Sequence, residues 1–89
     1  MLTFEDCLGL CELTADEVEA IAEHEHVPEI VALELAQYLA ETAEGERVLR
    51  RFIIEDMEAA RSHGDTERLA RLEVALKHFV ITHPRCCRP

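Results

Sequence analysis

The residues best suited to chemistry form the run Glu23-His24-Glu25-His26, in which Glu23 and His26 stand three apart. On a helix that spacing presents a carboxylate and an imidazole from one face, so both can ligate a single metal ion. Carboxylate-bridged di-iron bundles use a Glu-x-x-His unit twice, with two more glutamates from facing helices. Here the unit occurs once, with Glu19 adding a carboxylate one turn earlier. A symmetric dimer would supply the second copy, making Glu19, Glu23 and His26 the candidate ligands of a divalent transition metal. The run also sits on a polar face just before Pro28. The plainer reading is therefore a solvated face with a histidine capping the helix end, and no cofactor is expected.

Four cysteines offer a second chemistry. Cys7 and Cys11 are four apart beside Phe4 and Leu8, where cysteine packs as a small hydrophobe. With Cys86, Cys87 and His83 they would form a thiolate and imidazole set for zinc or copper(I) if the two ends of the chain met. Their spacing matches no zinc pattern. The adjacent Cys86 and Cys87 read as a solvent-accessible, redox-sensitive thiol pair.

Two further features stand out by charge. Helical periodicity sets Asp56 between Leu49, Phe52 and Ala60, on an otherwise apolar face, where a carboxylate is costly unless paired or hydrogen-bonded. Arg47, Arg50 and Arg51 form a basic cluster at the start of a helix, where the helix dipole disfavours positive charge. Acidic groups of the same chain or of a partner should face them. These four residues are the candidate interaction residues. Gly9, Gly45 and Gly64 are isolated, so no phosphate-cradling loop is present, and no hydrolase, kinase or dinucleotide motif appears. An enzyme is not expected.

The elements that position these groups follow from caps and periodicity. Thr3 opens a helix over about 4–12 that carries Phe4, Cys7, Leu8 and Cys11. Thr14-Ala15-Asp16-Glu17 is a capping box for a second, 14–26, with Val18, Ile21 and Ala22 inward and Pro28 ending it. The third, 28–42, has a polar strip of only Glu34, Gln37 and Glu41. A helix so apolar is expected at the centre of the bundle or at a subunit interface. Gly45 separates it from a fourth, 46–62. His63-Gly64 and Asp65 lead into a fifth, 66–82, and these last two should form an antiparallel hairpin. Glu46 with Arg50, Glu67 with Arg71 and Glu73 with Lys77 are spaced to pair on the solvent side. No segment alternates in the manner of a strand. The fold class is all-α: a compact bundle of four to five short helices with the third central, in one domain over 1–83, and a flexible tail over 84–89.

Composition narrows the functional classes. The chain has 89 residues and a formal net charge of −10. Residues 1–46 hold 13 acids and no Lys or Arg, whereas 47–89 hold 6 acids and all 9 bases. Such a distribution opposes binding to nucleic acid. No run of apolar residues is long enough to span a membrane and no basic leader with an apolar core is present, so a cytoplasmic location with reduced thiols is expected. A domain this small buries a limited fraction of its surface, which favours association. The sequence therefore reads as a small acidic protein-interaction or regulatory module acting as a homo-oligomer, most simply a homodimer, or binding another protein. The metal-binding reading is the alternative.

Overall fold

The computed structural model describes residues 13–87. Within them lie α1 (Ala15–Glu25), α2 (Glu29–Leu39), α3 (Ala43–Ser62), α4 (Thr66–Thr82) and one 3-10 turn (Pro84–Cys87). The described residues contain no strand, and the fold is an all-α bundle. The expected helix over 4–12, its Thr3 cap and the pair Cys7 and Cys11 lie outside the described residues, as do 88–89.

The caps act where the sequence places them. At the start of α1 the Glu17 amide donates to Thr14 Oγ1 at 3.2 Å and the Thr14 amide donates to Glu17 Oε1 at 2.8 Å, a reciprocal capping box. His26 closes α1 with φ of 56° in the left-handed region. Asp65 Oδ1 accepts from the Arg68 amide at 3.1 Å to open α4, and Gly64 makes the preceding turn with φ of 70°. None of the three expected pairs four apart is among the ion pairs of the described residues. Glu46 takes Arg85 instead.

Gly45 does not separate two helices. It lies in the first turn of α3, whose N-cap is Thr42, with the Gly45 amide donating to Thr42 Oγ1 at 2.9 Å. The glycine serves close approach: a Cβ there would sit 1.8 Å from the Leu39 carbonyl oxygen at the end of α2.

The centre of the bundle is α3, which touches every other described element. Leu49, Ile53 and Ala60 from α3 meet Val18 and Ile21 of α1, Leu33 of α2 and Phe79 of α4 in one core. Each large side chain fully buried there contributes about 1.5–3 kcal/mol. The helix expected at the centre, α2, is peripheral. Its small face of Ala32, Leu33 and Ala36 is buried, while Ile30, Val31 and Tyr38 face outward. The molecule extends 39 × 34 × 19 Å, about two helix diameters along its shortest axis. A slab this thin surrounds no helix completely, and the longest amphipathic one takes the middle.

The expected tail begins as a 3-10 turn over Pro84–Cys87. Pro84–Cys87 packs on α3 and α4 with Cys86 buried. Two anchors hold it there. Arg85 donates from Nε to Glu46 Oε2 at 2.7 Å and from Nη2 to the Ala40 carbonyl at 3.0 Å, and the His83 ring stacks on Phe79 with centroids 4.5 Å apart.

Candidate functional site

Asp56 faces inward, as its periodicity predicts, and is 8% exposed. It lines the wall of an open cleft of about 400 Å³ between the end of α1, the second half of α3 and the first turn of α4. Glu23, His24 and His26 enter this cleft from α1, Glu55 and His63 from α3 and its cap, and Arg68 from α4.

His24 organises the rim. Its ring stacks on Phe52 at 4.2 Å with 20° between planes, which fixes the edge directions. Nε2 lies 2.7 Å from Glu55 Oε1 and Nδ1 lies 3.1 Å from Glu25 Oε2. Two ionised carboxylates accept only, so both bonds are made together by the imidazolium form. Burial pulls the His24 pKa down, but the bonds to Glu55 and Glu25 and the charges of Asp56 and Glu55 outweigh it, and the net direction is upward. Arg68 is committed to an ion pair with Glu23.

Asp56 Oδ2 is buried and receives no hydrogen bond. Desolvation is the main cause that raises its pKa to about 6 from 3.8, offset in part by the charges of His24 and Arg68. Two more buried carboxylates each have one oxygen that receives no hydrogen bond. Glu17, fully buried, accepts from Thr14 and lies 3.1 Å from His78 Nδ1, yet its Oε2 has no partner. Glu46 accepts from Arg85 through Oε2, and its Oε1 has none. Sequence reasoning found Asp56 because it interrupts an apolar stripe. It missed the burial of Glu17 and Glu46 because first-turn glutamates ordinarily face solvent. It also missed His24 with Glu55, whose partners are 31 residues apart.

Within one copy of the chain the candidate metal ligands are not brought together into a ligand set. Glu19, Glu23 and His26 border one open groove beside Pro28. Among the described residues no group of three or more His, Cys, Asp or Glu side chains is placed to hold a metal ion. The reason is local. His26 occupies the left-handed cap, so its Cα–Cβ direction leaves the helical lattice on which an i, i+3 pair depends, and Glu23 is held by Arg68.

The thiol pair divides. The Sγ atoms of Cys86 and Cys87 are 3.3 Å apart, with Cys87 exposed and Cys86 buried, contrary to the expectation of two accessible thiols. Burial, with the adjacent Cys87 adding, pushes the Cys86 thiol up to about 11 and leaves it a weak nucleophile. Of the arginine cluster, Arg47 and Arg51 are exposed on α3, and Arg50 is half-buried near Cys86. Arg47 is engaged.

The largest outward-facing apolar groups lie on α2 and α4. On α2, Ile30 (42%), Val31 (44%) and Tyr38 (70%) flank Glu34; on α4, Val74 (65%) and Ile81 (77%) lie between Lys77 on one side and Arg71 on the other. No described helix is long and apolar enough to cross a membrane. Comparison with protein-family models, curated proteins and solved structures finds no match.

Proposed function

We propose that this protein is an interaction module that associates with copies of itself, the outer face of α2 on one copy meeting the outer face of α4 on the next. The observation that carries this reading is a pair of exposed apolar stripes, one with Glu34 among its apolar groups and the other bordered by Arg71 and Lys77. Val31 and Tyr38 are two turns apart, as are Val74 and Ile81, so the stripes match in pitch. Glu34 then opposes Lys77. A two-fold contact of α2 with itself is less favourable. Glu34 lies midway between Ile30 and Tyr38, so an antiparallel pair would set it against its own copy. The thin slab of the bundle adds support, because a domain this small gains from burying more apolar surface.

Sedimentation equilibrium from micromolar to millimolar chain tests the proposal. The expected result is an average mass that climbs above 10.1 kDa with concentration. Val31→Glu and Ile81→Glu should each hold the chain at monomer mass. Glu34→Lys and Lys77→Glu should each weaken association, and the double variant should restore part of it. A wild-type mass of 10.1 kDa throughout would overturn the reading. Without that rescue, the contact between α2 and α4 is wrong.

A further inference from the structure

We propose that Cys86 and Cys87 form a thiol–disulfide exchange site, at which a small-molecule disulfide closes the two thiols into a ring that unseats the Pro84–Cys87 turn from α3. The two Sγ atoms are already 3.3 Å apart, and they differ in access. Cys87 is exposed, whereas Cys86 is 2% exposed and belongs to the core cluster. Access sets the order of events. The Cys87 thiolate attacks one sulfur of a disulfide RS–SR, forming a Cys87–S–S–R bond and releasing RS−, which takes a proton to become RSH. Cys86 then gives its proton to water, and its thiolate attacks the Cys87 sulfur and expels the second RS−. The two thiols together lose two protons and two electrons, and RS–SR is reduced to two RSH. Burial, with Cys87 adding, pushes the Cys86 thiol up to about 11, while the Arg50 charge favours its thiolate. Ring closure is therefore the slower step, and the held position of the neighbouring sulfur makes it intramolecular.

Backbone geometry couples the ring to the turn. A trans peptide holds neighbouring Cα atoms about 3.8 Å apart, closer than the roughly 4.4–6.8 Å that disulfides usually span. Closing the ring must twist the backbone at 86–87, and the docked turn resists. The Cys86 amide donates to the His83 carbonyl at 3.1 Å. Arg85 donates to Glu46 at 2.7 Å and to the Ala40 carbonyl at 3.0 Å. Oxidation thus works against docking, and by linkage docking favours the dithiol. A strained disulfide is also readily reduced, which makes the change reversible.

The full chain, equilibrated in glutathione buffers with a rising share of glutathione disulfide, tests the proposal. Free thiols are blocked with N-ethylmaleimide before trypsin digestion. Cleavage after Arg85 separates Cys86-Cys87-Arg88-Pro89 from the peptides that hold Cys7 and Cys11. This peptide should pass through a glutathione adduct on Cys87 to a form without label and lighter by two hydrogens, and excess glutathione should reverse it. Cys86→Ser should stop at the adduct. Arg85→Ala, which loosens the docked turn, should move the oxidation equilibrium about tenfold toward the ring, as loss of a charged hydrogen bond implies. Oxidation of the wild type should shift the amide NMR signals of Ala40, Glu46, Arg50 and the turn and leave those of α1 in place. This last measurement needs no variant and decides the matter even where Arg85→Ala does not fold. A wild-type peptide that stays a dithiol or halts at the adduct would overturn the proposal, as would disulfides from this pair to Cys7, Cys11 or a second chain. An Arg85→Ala equilibrium equal to the wild type, or oxidised protein with the turn and α3 signals unmoved, would overturn the coupling and with it the proposal.

Discussion

Replacing Asp56 by asparagine should stabilise the protein progressively as pH rises. The carboxyl titrates at about 6 in the folded chain against 3.8 for an ordinary aspartate. A group raised in this way binds its proton more tightly in the native state. Its stabilising contribution is complete below 3.8 and is lost as pH climbs through about 6. A rise of that size corresponds to about 3 kcal/mol at 1.36 kcal/mol per pH unit. Asparagine does not titrate, so the stability difference between variant and wild type should grow by about 3 kcal/mol between about pH 3.5 and about pH 7.5. In a domain of this size each 1 kcal/mol moves Tm by about 4–8 °C, and the change is easily measured. Urea unfolding of both proteins across this range is the assay. The pH dependence of the difference isolates Asp56, because the other carboxylates are common to both chains. A difference that stays flat, or an asparagine variant that loses ground as pH rises, would show that the ionised carboxylate is already paired, and the reasoning about its burial would fall with it.

Three further outcomes follow from the packing. Gly45→Ala should lower stability by about 1–3 kcal/mol in urea melts, since the new Cβ collides with the Leu39 carbonyl, even though alanine exceeds glycine by about 1 kcal/mol in helix propensity; a stabilised variant would mean that the junction of α2 and α3 opens freely. Arg85→Ala should cost about 1–3 kcal/mol by leaving the buried Glu46 without its donor, and Glu46→Gln in the same chain should recover part of it. Thiol labelling of Cys86 should accelerate in Arg85→Ala, because Arg85 pins the turn that buries it. Unchanged labelling would show that the turn is held by Phe79 and His83 alone.

Local sequence determined the described helices and several of their ends, the boundary at Gly45 excepted. Thr14 with Glu17, Asp65, and Gly64 in the left-handed region act within one turn of chain, so their signals are complete in a few residues. Asp56 was legible for a similar reason: it breaks a stripe that the 3.6-residue period defines. What lies across the bundle was decided only by tertiary structure. Periodicity says that α2 is apolar over most of its surface but not how many neighbours a thin slab has to cover it, and so Ile30, Val31 and Tyr38 stand exposed while α3 takes the centre. His24 meets Glu55 across 31 positions and Arg85 meets Glu46 across 39. No spacing rule encodes such pairs, because the distance that joins them is set by how helices pack and not by where residues stand along the chain.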